Sequence, residues 1–394
     1  MHIAFRADSS NIIGHGHIMR CLTLAHALIT QVSQNKQLKD INISFICRNH
    51  HHNINHLISQ NKFTLITLPQ GKAIIKQQDS NTWLGCSQEE DARQCITALK
   101  SLTTKIIPID ILVVDHYALD EQWHRLVSPY YQQLMAIDDL ANRYLHCDLL
   151  LDQTLHRQSE HYLSHVSEHC QLLLGKDYML LRDEFSILKD QVSIQRQLRS
   201  KQLTSANILI SMGGGDPDNL SERALLAIAQ LCEHYPNITV NLVLSSQSKY
   251  LKKLQQLSSS FSWCTLITDC KNMGDLMLSA DIAIGASGAT AWERCCLGLP
   301  SLITVNAENQ QLIAKNLTDV GATINLGWHQ EITIDTMANA LEKLFNEPKT
   351  YLTMAENNLN CCDGLGASRV AKILIDRIST KQIKEVTVRS TNDE

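Results

Sequence analysis

Five ionisable side chains crowd the start of the chain: Arg6, Asp8, His15, His17 and Arg20, with Gly14 and Gly16 bracketing the first histidine. A histidine takes up or releases a proton near neutral pH, so an imidazole among such neighbours suits general acid–base work. His17 and Arg20 fall where a helix begins, because Ile18, Cys21, Leu22, Ala25, Leu28 and Ile29 recur at steps of three and four. The unpaired N–H groups of a helix N-terminus attract an anion, so the segment suits an anion and a reacting group together. A plainer reading is open as well: many α/β domains turn a strand into a helix with glycine, and a histidine there can simply bond the backbone. The density of charge at one strand end favours the chemical reading, since open parallel sheets bind ligands at that edge.

The elements that position these residues are strands alternating with helices. Strands are expected at 2–6, 41–47, 63–68, 109–114, 134–137 and 147–151, with a helix at 88–102. Three of the strands run into acids, at Asp115-His116-Tyr117, at Asp138-Asp139 and at Asp152. One such ending could be a helix cap, whereas three in one half suggest a crevice lined by polar groups. The triplet His50-His51-His52 reads as a solvated loop, since adjacent side chains diverge and no carboxylate or cysteine lies at ligand spacing.

The pattern restarts in the second half with a strand at 207–212, then Gly213-Gly214-Gly215-Asp216-Pro217 and a helix at 219–231. Asp216 as N-cap with Pro217 in the first turn is a strong helix start, and the glycines let backbone N–H groups approach a phosphate. Asp216-Pro217-Asp218 also spells D-x-D, a metal-associated pattern, but the cap accounts for it and no metal is expected. A buried strand at 281–285 leads to Ser287, Gly288, Thr290 and Glu293, small residues suited to an anion followed by a carboxylate that could accept ribose hydroxyls. A solvent-facing glutamate is an equal alternative there. Amides at 306–311, Asn309 among them, suit a base or sugar edge.

With 394 residues the chain is too long for one ordinary core. The polar stretch 189–205 reads as a connection, giving domains at 1–195 and 206–378; 379–394 is a charged tail expected to be disordered. A formal charge of −5 argues against general affinity for nucleic acid or acidic membrane. The 13 cysteines include no C-x-x-C and sit in apolar runs, as expected of reduced thiols in a cytoplasmic protein. No apolar run reaches bilayer length, and no secretory signal is apparent.

Two doubly wound Rossmann-like α/β domains facing a cleft, with Gly213-Gly214-Gly215 and Ser287–Glu293 in the second, resemble the GT-B architecture of nucleotide-sugar enzymes. The set Arg6, Asp8, Gly14-x-Gly16-His17, Arg20, Asp115-His116-Tyr117, Asp138-Asp139, Tyr178, Arg182-x-Glu184-Phe185 and Met212-Gly213-Gly214 with Asp216 further resembles the pseudaminic acid pathway hydrolases. That resemblance spans most of residues 1–375. It implies cleavage of UDP-2,4-diacetamido-2,4,6-trideoxy-β-L-altropyranose to UDP and free sugar, with inversion at C1, His17 as the base and no cofactor. It further implies sugar contacts from Arg6, Asp8, Gly16, Arg20, Tyr117 and Arg182, and UDP contacts from Gly213, Gly214, Ser287, Gly288, Glu293 and Asn309. His15 is a departure from the pattern and leaves two imidazoles as candidates. A glycosyltransferase of the same architecture using a UDP-linked N-acetylated sugar, or a silent nucleotide-sugar binding module, are the other readings.

Overall fold

The computed structural model describes residues 1–35, 40–76, 79–102, 108–199, 205–213, 216 and 218–392. They form two compact units, one of Met1–Leu180 with Leu365–Glu394 and one of Leu181–Gly364.

The first unit is built on strands β1 (His2–Ala7), β2 (Asn42–Arg48), β3 (Thr64–Leu68), β4 (Ile109–Asp115), β5 (Tyr131–Ile137), β6 (Leu149–Asp152) and β7 (Gln171–Leu174). They pair in the order β3-β2-β1-β4-β5-β6-β7, every pairing parallel. Parallel strands covered on both faces are apolar throughout, which is why β4 reads Ile-Asp-Ile-Leu-Val-Val-Asp. One face packs on α1 (Gly16–Gln34) and the final helix Gly366–Asn392, through Phe5, Phe45, Leu24, Val370 and Leu374. The other face meets the helices Gln88–Leu102 and Glu121–Val127 through Ala4, Leu112, Leu99 and Trp123. The order reverses between β1 and β4, where Ala7 lies level with Asp115. Such a reversal opens a crevice at the carboxyl ends of the two strands.

The second unit repeats the plan with β8 (Ser205–Ser211), β9 (Asn237–Leu244), β10 (Cys264–Thr268), β11 (Ile282–Ala286), β12 (Ser301–Val305) and β13 (Thr323–Trp328). These parallel strands lie in the order β10-β9-β8-β11-β12-β13, reversing between β8 and β11. The helices Leu220–Leu231 and Ile334–Asn346 cover one face with Leu225, Ile228, Met337 and Leu341.

Two expectations about the connections change. Residues 189–199 are not a linker but continue the helix Asp183–Arg199, which buries Phe185 and Val192. Its Arg196, also buried, donates to the carbonyls of Met277, Ala280 and Leu297, so a residue type that reads as solvated supports the inner face. The last helix belongs to the first unit, not the second, and runs to Asn392 through the segment expected to be disordered. A helix anchored by Ala367, Val370, Leu374 and Ile378 needs no new nucleation to extend.

Candidate active site

At the reversal of the first sheet, β4 delivers Asp115, which is fully buried. Its Oδ1 lies 2.6 Å from His17 Nδ1, and Arg20 grips both of its oxygens, Nε to Oδ2 and Nη2 to Oδ1 at 2.6 Å each. Burial alone would raise the Asp115 pKa, but the charges of Arg20 and His17 outweigh it and hold the carboxyl well below its usual range. An ionised carboxylate can only accept, so the Nδ1 proton points at Asp115 and the Nε2 lone pair is the basic site. His17 and Arg20 reach one carboxylate because residues three apart share a helix face, here in the first turns of α1.

The surroundings fix the ring further. Tyr117 meets the His17 ring edge-on at 4.7 Å, and Trp83 stands 6.1 Å away. Tyr117 donates its hydroxyl to Asp139, which also takes Arg20 Nη1 at 3.1 Å. Tyr117 was expected to hold sugar; its ring instead walls the imidazole and its hydroxyl is engaged. Asp115, Trp83 and Asp139 were given no role from sequence, although the acids ending β4 and β5 carried the signal.

His15 does not share this position. It precedes α1, half-buried, near His52 and His56, and burial lowers its pKa. Gly16 opens the helix with no neighbour crowding its Cα.

Arg6 and Asp8, expected as sugar contacts, are fully buried beneath the loops. Arg6 bonds Asp8 at 2.6 and 2.9 Å and Asp91 at 3.2 and 2.6 Å, while Arg48 reaches Asp91 at 2.5 Å. Asp8 also accepts the Arg48 N–H at 2.6 Å and faces His116 Nε2 at 3.3 Å and His50 Nε2 at 3.5 Å. Charged groups so enclosed brace the ends of β1 and β2 rather than touch a ligand. His50 is therefore part of this frame, whereas His51 and His52 are exposed as expected of a solvated loop.

The second unit offers its own strand ends. Gly213, after β8, is exposed with a φ of 70°, a conformation glycine adopts freely. Gly214, with Gly215 and Pro217, lies outside the described residues. Asp216 is buried and accepts from Leu220 N at 2.8 Å and Ser221 N at 2.9 Å. It thus caps the helix Leu220–Leu231 from four residues ahead, and Asn219, in the left-handed region, stands at the N-cap position expected of Asp216. Its carboxylate already occupies those two N–H groups.

After β11, Ser287 is fully buried and donates to Thr304 O at 2.9 Å and Gln310 O at 3.3 Å, so its hydroxyl ties the loop instead of meeting a ligand. Gly288 is half-buried and Asn309 exposed. Arg182, expected to hold sugar, belongs to the second unit and bridges Glu184 at 2.8 Å and Glu293 at 3.2 Å. Burial raises the Glu293 pKa and Arg182 partly offsets it. Glu293 remains slightly open. Among the described residues no group of three or more His, Cys, Asp or Glu side chains is placed to hold a metal ion, and no helix is long and apolar enough to cross a membrane.

These two doubly wound parallel sheets define a GT-B-like fold. In three dimensions the chain is similar to MurG of Acinetobacter baumannii, at a TM-score of 0.63 and 14% identity over 95% of this chain and 99% of that one. Residues 207–373 match the model of the glycosyltransferase family 28 C-terminal domain. In sequence the chain is 26% identical over 215 residues to the spore coat polysaccharide biosynthesis protein SpsG of Bacillus subtilis, covering 54% of this chain and 60% of that protein. It is 25% identical over 320 residues to an uncharacterized protein of Methanocaldococcus jannaschii, covering 79% of this chain and 57% of that protein. The chain thus spans less than two thirds of the length of these two relatives. It is also 25% identical over 325 residues to the UDP-2,4-diacetamido-2,4,6-trideoxy-β-L-altropyranose hydrolase of Campylobacter jejuni, covering 82% of this chain and 97% of that protein.

Proposed function

We propose that this chain is a hydrolase that cleaves a UDP-linked 2,4-diacetamido-2,4,6-trideoxy sugar to UDP and the free sugar, with His17 as the base. The observation that carries this reading is the imidazole held through Nδ1 by a buried, ionised Asp115, which leaves Nε2 as the basic nitrogen. The similarity to the Campylobacter jejuni hydrolase, which takes in nearly all of that protein, supports the choice of substrate.

In this mechanism Nε2 takes a proton from a water molecule as its oxygen attacks the anomeric carbon. The bond from that carbon to the diphosphate oxygen breaks, its electron pair leaves with UDP, and one displacement inverts the configuration. Asp115 steadies the imidazolium that forms. UDP is a good leaving group, so the demand falls on placing water and offsetting the diphosphate's charge. The nucleotide is assigned to the second unit, with Gly213 and Gly288 as close backbone approaches and Glu293 and Asn309 as polar contacts. The sugar is assigned to the rim around Gly16 and Asp139.

The test is incubation with UDP-linked 2,4-diacetamido sugars of altro and neighbouring configurations in plain buffer, followed by NMR. Prompt release of free sugar, initially as the inverted anomer, is the expected result; intact substrate after hours refutes the proposal. The match of residues 207–373 to a glycosyltransferase domain favours a second reading, transfer of the sugar to an acceptor. Turnover only after an acceptor is added would select it.

A further inference from the structure

Beneath the loop that follows β11 lies a cation that no described carboxylate contacts. Arg294 is 2% exposed. Its Nη2 donates to Ala286 O at 2.7 Å and its Nη1 to Thr290 Oγ1 at 3.3 Å, while Nε is buried with no partner. The guanidinium fits there because residue 285 is glycine: a Cβ at that position would stand 2.8 Å from Nη1. Among the described residues no carboxylate makes an ion-pair contact with Arg294: neighbouring Glu293 contacts Arg182 and offsets the Arg294 charge only through space.

Other buried arginines are matched. Arg6 and Arg48 share Asp91, Arg20 grips Asp115, and Arg196 is committed to the carbonyls at two helix ends. Burial lowers the Arg294 pKa to about 10, which still leaves it charged at neutral pH. A buried charge with no contacting counter-charge is costly, and an anion lying over it removes part of that cost. The loop above the guanidinium turns outward at the half-buried Gly288 and the exposed Ala289.

We propose that Arg294 is a positioning residue for the diphosphate of a nucleotide: from under the loop of residues 286–290 its charge favours an anion on the outer side, while its two bonds fix the loop's shape. This rests on the nucleotide reading given above. Arg294 does not touch the ligand; it acts through the loop and through its field, so its effect belongs to the phosphates and not to the base or ribose.

The experiment is calorimetric titration of the full chain with UDP and with uridine, for the natural protein, Arg294→Gln and Arg294→Lys, with folding checked by circular dichroism. Arg294→Gln is expected to weaken UDP about tenfold or more and uridine by less than about twofold, and Arg294→Lys to recover most of the preference for UDP. Equal weakening of both ligands by Arg294→Gln, or of neither, overturns the inference and leaves the nucleotide reading standing. Should the Gln variant not fold, the Lys variant decides: preference for UDP over uridine retained supports a charge effect, and both ligands weakened together identifies a mere brace. If the natural protein binds neither ligand, the nucleotide reading and this inference fall together.

Discussion

Replacing Asp115 by Asn asks whether the buried carboxylate orients His17 and steadies the imidazolium that forms in the transition state. The exchange keeps the shape and removes one negative charge from a group 2.6 Å from Nδ1. At about 4 Å between charge centres and an effective dielectric of about 20, that charge attracts an imidazolium by about 4 kcal/mol. Arg20 stays behind in the variant, its Nη2 3.3 Å from Nδ1, and then repels the charge that develops on the ring in the transition state. Some of this is recovered by water and by rearrangement, so the expected loss in kcat is about 10²- to 10³-fold. His17→Gln, which removes the base, is expected to cost about 10²- to 10⁴-fold. If Asp115 works only through the imidazole, the double variant is no slower than His17→Gln alone, because residues acting as a unit are not additive. The assay is the rate of UDP release from the UDP-sugar, with urea unfolding to show that each variant is folded. Asp115→Asn within about fivefold of the natural rate, or a double variant whose losses multiply, would refute the coupling.

Three further outcomes are expected. Gly285→Ala should destabilise the second unit by about 1–3 kcal/mol in urea unfolding, because the new methyl group meets Ser211 O at 2.5 Å and that atom is backbone; an unchanged midpoint contradicts the packing described. For Asp8, Asp91 and Asp115 burial works toward a higher pKa, but Arg6, Arg6 with Arg48, and Arg20 respectively prevail and hold each below its ordinary value. Their stabilisation is complete above the unfolded value of about 4 and is lost as pH falls through the folded values, so the urea midpoint should hold from pH 7 to about 5 and drop below about 4. A midpoint as high at pH 3 as at pH 6 would contradict this. Hydrolysis should survive EDTA unchanged, since backbone amides and Arg294 are assigned the diphosphate's charge; loss restored by a divalent ion would defeat that assignment.

The alternation of apolar runs with amphipathic ones made the parallel sheets legible, because strands buried on both faces have little room for polar residues. The helix Gln88–Leu102 stands where the periodicity put it, and the strand expected at 109–114 is β4. Helix Asp183–Arg199 escaped because the arginine it buries is satisfied by carbonyls that only the folded chain brings near. In the same way Arg6 and Asp8 looked like ligand contacts from their type and place, whereas partners 40 and more residues away, Arg48 and Asp91, turn them into an internal brace. His17 was singled out by its place at a helix start. Its orienting partner lies 98 residues further on and was visible only as an acid ending a strand. Arg182 shows the converse: proximity in sequence to the first unit says little when the chain crosses into the second one residue earlier.

The return of the last helix to the first unit means that residues 181–364 are, topologically, an insertion into a host. Gly366 abuts the backbone of Met179, so the host's two broken ends already touch. A short loop joining residue 180 to residue 365 would therefore leave the seven-stranded sheet with both of its covering layers, while simple truncation after the first half would strip Val370, Leu374 and Ile378 from one face and expose Phe5 and Leu24. Anyone dividing this molecule into parts should excise its middle and keep its end.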